Sequence, residues 1–265
     1  MNAGVELAHT KGILTAASLM VSGAACSDAV ARARRLPSLR VGLHLVLVDG
    51  TPVLPPELIP DLVDGDGRLR GDLLRAGIDI FLRPAARGQL AAEIEAQFAA
   101  YRATGLLLDH VNAHHHFHLH PTVSGQVFRV GKRYGMTALR VPQEPRRLLA
   151  RIDPTARSRR SGYAAAWPAL LGHRVRRLGL VAPDRVLGMA WSGAMTEQRI
   201  AGVLQNLPDG VTEIYCHPAT ADTFGGAARD YDYTGELAAL TAPAIREALR
   251  RSGARSGGFA DCARI

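Results

Sequence analysis

Short apolar runs alternate with helical stretches along almost the whole chain, and this alternation limits the fold more than any other feature. Residues 2–10 look helical. "GILTAASLMVSG" is bounded by glycines and reads as a strand, and "CSDAVARARRL" follows as a helix capped by Ser27 or Asp28. "RVGLHLVLV" is nearly continuous in apolar residues, the pattern of a strand buried on both faces of a parallel sheet. "GQLAAEIEAQFAAYRATG" is the clearest helix, with Gly105 just beyond its end. "LLLDHV" is the next strand, and "PTVSGQVFRVGKRYG" is a helix opened by Pro121. "TALRVP", "DRVLGMAW" and "VTEIYCHP" read as further strands, with helices over 196–207 and, as one element, over 234–253. Repeated strand–helix units imply an α/β fold with a parallel sheet, open or closed into a barrel.

Residues 49–70 are rich in Pro, Gly and Asp and read as a loop, and residues 145–183 as an Arg-rich, irregular insertion in a single domain spanning 1–265. The net charge of +8 rests almost wholly on Arg, because Lys occurs only at Lys11 and Lys132. The arginines around 145–177 read first as a solvated face, with an anion-attracting patch, compatible with an anionic membrane surface, as the alternative. Nucleic acid ranks last as a partner, since no recognition motif accompanies the charge. No apolar run approaches the roughly 20 residues needed to span a bilayer. Cys26, Cys216 and Cys262 are an odd, widely spaced set, which argues against a disulfide framework and for a reducing compartment. "LMVSGAAC" has no basic cluster before it and reads as core rather than a signal peptide. A cytoplasmic protein, free or peripheral to the inner membrane, fits these features, and a homodimer is compatible with them.

The functional signal is "LLLDHVNAHHHFHLHP", which holds six of the ten histidines. In strand–helix folds chemistry collects at the C-terminal ends of strands. His44 lies in or near the end of one strand, the run from His114 follows a second, and His217 follows a third, so three strands deliver imidazoles to one edge. Neutral imidazole is the commonest ligand for divalent transition metals, and Zn²⁺ takes three or four His, Asp or Glu ligands. In an extended chain His114, His116, His118 and His120 would share one face. Only the first one or two could reach a common ion, leaving the others as support. His217 is either a proton donor or a capping histidine in a turn.

"VGLHLVLVDGTPV", "LDHVNAHHHFHLHP", "LRVPQE" and "TEIYCHPAT", in that order, resemble the YdjC/ChbG-like carbohydrate deacetylases, and most closely their hopanoid-biosynthesis branch. The resemblance implies a distorted (β/α) barrel of the polysaccharide-deacetylase type and a divalent metal, Mg or Zn, held by one Asp and two His. His44 and His114 fall on the metal ligands, His217 on a general acid or substrate contact, and Arg140 on a group that orients or polarises the site. His115, His116, His118 and Asn112 are then support or substrate contacts. Asn112-Ala113 stands where the family often has Asp-Ser. The implied reaction removes an N-acetyl group from an N-acetylglucosamine unit on a hopanoid glycolipid, with N-acetylated oligosaccharides as the nearest alternative. A non-catalytic His-rich metal-binding protein is the reading from another class.

One departure sets a further expectation. Family members begin with a strand carrying Ala-Asp-Asp-Phe-Gly, which would precede "NAGVELAHTKG", and here Met1 stands directly before that segment. The barrel therefore lacks its first strand as written, together with one metal ligand and the base. A start placed too far downstream accounts for this better than an open barrel with exposed edges. Weak metal binding and low activity are expected of the chain as it stands.

Overall fold

Strand β2, Arg40–Leu45, sits at the centre of the sheet and explains its position by composition. Val41, Leu43 and Leu45 are buried on one face, whereas Gly42 and His44 share the other. The near-continuous apolar run is thus core on one side and site on the other. The computed structural model describes residues 1–156 and 163–262.

In chain order the elements are α1 (Asn2–Lys11), β1 (Ala16–Leu19), α2 (Cys26–Arg35), β2, α3 (Leu73–Leu82), α4 (Pro84–Ala103), β3 (Val111–Ala113), α5 (Pro121–Arg133), α6 (Arg146–Ile152), α7 (Tyr163–Arg177), β4 (Arg185–Leu187), α8 (Glu197–Gln205), β5 (Thr212–Ile214), α9 (Tyr233–Thr241), α10 (Pro243–Ser252) and α11 (Phe259–Cys262). A short 3₁₀ turn, His114–Leu119, follows β3 directly. The strands β1, β2 and β3 form one parallel sheet in that order, and β4 pairs in parallel with β5. Parallel bridges Val111–Leu139 and Ala138–Val181 continue the first sheet, and Val186 N–H donates to the Gln143 carbonyl at 2.7 Å. The fold is therefore α/β with parallel strands.

One apolar core lies against β1–β3, α2, α4 and α5, with Phe98, Leu43, Leu45 and Ile94 fully buried. A second gathers Leu187, Trp191, Met195, Ile200 and Val203 beneath α8 to α10. No helix among the described residues is long and apolar enough to cross a membrane.

Several elements depart from expectation for identifiable reasons. The helix near Ser27 and Asp28 begins at Cys26 with no side-chain cap, because Asp28 is engaged by Arg32 and Asn2 instead. The stretch 234–253 is two helices: Pro243 lacks the N–H that a continuous helix needs, and it opens α10 at N1. Residues 145–183 contain helices α6 and α7 rather than irregular chain, and 157–162 lie outside the described residues. Helix α3, capped by Asp72 accepting from Arg75 N–H, arises beyond the long loop. The histidine run does not extend as a strand. His115 and His116 are left-handed (φ 51° and 55°), which turns the chain at once into the 3₁₀ turn.

Candidate active site

The turn after β3 scatters the six histidines into different roles. His110, before the strand, is buried with its ring stacked on Phe259 at 4.3 Å. Its Nδ1 lies 2.8 Å from Asp109 Oδ2 and its Nε2 3.0 Å from Ser18 Oγ on β1. Burial alone would raise the Asp109 carboxyl, but hydrogen bonds from His110 and from the N–H groups of Ala260 and Phe259 outweigh it and hold Asp109 below its usual range. His118 is buried with Nε2 2.8 Å from the Arg140 carbonyl oxygen. His116 faces Tyr215 at 5.9 Å between ring centroids, and His120 packs between Phe81 and Phe117. His114 and His115 remain together, centroids 4.1 Å apart.

His44 and His114 meet edge to face at 5.7 Å. Burial and the neighbouring His114, with the charge of Arg140 beside them, lower the His44 pKa to about 3. His114 falls to about 4, through burial and His115, against the pull of Asp49. Both rings are neutral at pH 7, as a metal ligand must be.

Asn112 links β3 to this pair. Both terminal nitrogens of Arg140 lie 3.2 Å from one end of its amide and Ser18 Oγ lies 2.8 Å from the same end, so that end is the oxygen. The amide NH₂ then donates to His44 Nδ1 at 2.6 Å. Arg140, buried to 7% exposure, also makes a bidentate pair with Glu213 on β5 and lies over the Tyr215 ring at 5.0 Å.

His217 follows β5. Its backbone N–H donates to Glu236 of α9, a carboxylate at 1% exposure that also accepts from Met195 N–H. His217 Nε2 lies 2.7 Å from the Tyr215 hydroxyl, while Nδ1 is buried without a hydrogen-bond partner. Burial, then Arg140 and His114, lower its pKa to about 4. Burial pushes the Tyr215 hydroxyl up to about 12, so it stays protonated.

The expected residues thus come together around Arg140: His44, His114, Asn112 and His217 share a face, with His116 beside Tyr215. His118 meets the site through the Arg140 carbonyl. Sequence reasoning missed Ser18, Asp109, Glu213, Tyr215 and Glu236. It also missed Asp49, whose carboxylate lies 3.1 Å from His115 Nε2. Asp49 follows the strand that carries His44, and its place at that strand end was the available signal. The loop bearing it is fastened from beneath by α4, where buried Glu93 accepts from the N–H groups of Val53 and Leu54 and buried Gln97 bonds the Val46 backbone.

Imidazoles, an arginine and carboxylates gathered where parallel strands end define an α/β protein with an enzyme-like centre. Comparison with known proteins gives the group to which it belongs. A model of the YdjC-like proteins matches residues 1–251, and the chain belongs to that family. A carbohydrate deacetylase of Brevibacillus brevis is 30% identical over 252 residues, covering 93% of this chain and 88% of the relative. A chitooligosaccharide deacetylase of Yersinia pestis is 28% identical over 276 residues, covering 98% and 93%. Among solved structures, one described as a cellobiose-phosphate cleavage protein of Enterococcus faecalis superposes with a TM-score of 0.76 at 23% identity, covering 98% of this chain and 92% of that one, which bears on the fold alone.

Proposed function

We propose that the chain is a divalent-metal-dependent deacetylase of N-acetylated sugars. The observation that carries this reading is the convergence of neutral His44, His114 and His217 on buried Arg140, and relatives named carbohydrate and chitooligosaccharide deacetylase support it. The parallel ladder from β1 through the bridges to Val181, with the β4–β5 pair beside it, supports a distorted (β/α) barrel as the framework.

The donor set fits a metal: ligand atoms of Asp49, His114 and His115 all lie within 4.8 Å of one another. Imidazole with carboxylate suits Zn²⁺ better than Mg²⁺, which prefers oxygen and water. When bound there, such an ion polarises the amide carbonyl and acidifies water. The chain's own residues account for the rest. Arg140 keeps a fixed positive charge beside the reacting carbonyl and is itself positioned by Glu213. His217 enters neutral, so its buried Nδ1 can take the proton of the attacking water and return it to the departing amine as the C–N bond breaks. The products are acetate and a free amino sugar.

A lipid-borne substrate is the favoured form of that sugar. Helix α3 leaves Leu74, Phe81 and Leu82 at 75%, 60% and 65% exposure, and the Phe81 ring touches His120 of the histidine run at 6.5 Å. An apolar helix face with Arg75 in its first turn suits an anionic membrane surface and a hopanoid-linked N-acetylglucosamine. The test is acetate release with Zn²⁺ or Mg²⁺ added, from chitooligosaccharide and from the glycolipid in vesicles. Metal-dependent release from either supports the deacetylase, and preference for the glycolipid supports the lipid form. No release from either substrate would sink the reading.

A further inference from the structure

We propose that Ser18, His110 and Asp109 are positioning residues of the deacetylation centre: a one-way chain of hydrogen bonds, anchored on the C-terminal segment, fixes the Asn112 amide and through it the Arg140 guanidinium. The effect on turnover rests on the deacetylase reading above, whereas the direction of the chain follows from its own donors and acceptors.

Both ends of the chain have only one possible role. Burial raises the Asp109 carboxyl, but hydrogen bonds from His110 and from the N–H groups of Ala260 and Phe259 hold it below its usual range, so it is ionised and only accepts. His110 Nδ1, 2.8 Å from Asp109 Oδ2, therefore carries a hydrogen. At the other end Arg140 only donates, and both its terminal nitrogens lie 3.2 Å from the Asn112 amide oxygen.

Ser18 closes the chain between them. Its Oγ is 2.8 Å from that amide oxygen, and two oxygens so close need a hydrogen between them, which the Ser18 hydroxyl alone can supply. With its hydrogen given to Asn112, Ser18 accepts at its 3.0 Å contact with His110 Nε2, so Nε2 carries a hydrogen as well. The His110 ring is then an imidazolium facing the Asp109 carboxylate, both of them buried. A buried charge is tolerated where it is paired and fully hydrogen-bonded, and every polar atom of this pair has a partner. Reversing the chain would leave the Ser18 and Asn112 oxygens in contact with no hydrogen between them.

The C-terminal segment holds the far end in place. Asp109 Oδ1 accepts from Ala260 N–H at 3.0 Å and Oδ2 from Phe259 N–H at 3.1 Å, while the Phe259 ring stacks on His110. A Cβ at Gly258 would stand 2.7 Å from Asp109 Oδ1, so glycine lets the chain come this close. Arg40 grips Asp261, and the Thr15 hydroxyl donates to the Gly257 carbonyl at 2.7 Å.

The near end decides where the Arg140 charge stands. Nε and one terminal nitrogen of Arg140 grip Glu213, and the two terminal nitrogens meet the Asn112 oxygen, so two edges of the guanidinium are held. With Asn112 released, the fork is free to pivot about Glu213. A misplacement of about 1 Å can cost about 100-fold in rate. Ser18, His110 and Asp109 act through Asn112 and Arg140.

The experiment uses the full chain, with ¹⁵N-labelled histidine for ring NMR at pH 7.5 and acetate-release kinetics on chitooligosaccharide with Zn²⁺ added. The proposal expects both ring nitrogens of His110, assigned by their loss in His110→Gln, to be protonated in the parent, and Asp109→Asn to make that ring neutral. It expects Ser18→Ala to lower kcat about tenfold or more with KM within about twofold, and Ser18→Thr, which keeps the hydroxyl, to stay within about threefold of the parent. Circular dichroism confirms that each variant is folded. A neutral His110 ring in the folded parent, parental kcat in Ser18→Ala, or equal losses in Ser18→Ala and Ser18→Thr overturns the proposal. A parent that releases no acetate refutes the deacetylase, and the ring signals then decide the chain by themselves: two protonated nitrogens uphold it and a neutral ring overturns it.

Discussion

Replacing Gly42 with Ala adds a single methyl group and should nonetheless be among the most damaging changes available in this sheet. A Cβ there would stand 2.5–2.6 Å from Cε1, Nδ1 and Nε2 of His110. The ring cannot retreat, because Phe259 stacks on it at a centroid distance of 4.3 Å. Reaching an ordinary contact of about 3.5 Å requires a shift near 1 Å. A shift of that size stretches both the 2.8 Å bond to Asp109 and the 3.0 Å bond to Ser18 beyond hydrogen-bonding range. Overpacking costs about 1–3 kcal/mol, and a buried charge-assisted hydrogen bond about 1.5–3 kcal/mol, so the sum is about 2.5–6 kcal/mol. At about 2–4 °C per kcal/mol for a chain of this size, Tm should fall by roughly 10 °C. Urea denaturation and thermal melts of the parent, Gly42→Ala, His110→Ala and the double variant measure both the cost and its origin. Removing the ring should relieve the methyl clash, so the double variant should be much less unstable than the sum of the two singles. Strict additivity, or a Gly42→Ala cost below about 0.5 kcal/mol, would refute the argument.

Three other outcomes are expected. The metal-free protein should lose stability as pH falls from about 6.5 toward 4: His44, His114 and His217 have folded pKa values below the unfolded value, so the unfolded chain binds protons first in that window. A flat urea midpoint from pH 7 to 5 would show that these imidazoles are not held neutral. Arg140→Lys keeps the charge but loses the bidentate grip on Glu213, and should cost about 2–4 kcal/mol and at least tenfold in kcat with a smaller change in KM. An equal loss from Arg140→Ala and Arg140→Lys is expected if the fork geometry matters, and near-parental kcat in the lysine variant counts against it. Leu74→Glu with Phe81→Glu should leave Tm within about 2 °C while abolishing sedimentation with anionic vesicles, because both side chains are already exposed. Unchanged sedimentation would remove α3 from the membrane reading.

The expected runs containing β1, β2, β4 and β5 and most helices were legible because their signals are local, whereas the run at 106–111 becomes strand only at Val111 and the one at 137–142 gives isolated bridges at Ala138 and Leu139. Apolar runs, Gly105 beyond α4 and Pro121 at the head of α5 each act within one turn of chain. Where expectation failed, a local rule was overridden or overlooked. Pro243 sat inside a strongly helical pattern and split it, and Asp28 looked like a cap but was taken by Arg32 and Asn2. The gathering of His44, His114 and His217 followed from strand order and edge. Asp109 and Ser18, 91 residues apart in sequence, meet only through His110, and no spacing rule could have joined them. Nor does any alternation predict two consecutive left-handed histidines: the period-two face drawn through 114, 116, 118 and 120 dissolves at the first turn.

Those left-handed positions have a consequence for anyone who evolves this protein in the laboratory. Glycine adopts positive φ freely, so Asp49→Gly, His115→Gly or His116→Gly should each release about 1 kcal/mol of backbone strain. A library screened for heat resistance alone would therefore be drawn to positions 49 and 115, and the variants it enriched would melt later although they had shed the pair that joins the loop after β2 to the histidine turn. Survival of Asp and His there under such a screen would require a second selection, for activity, run beside the first.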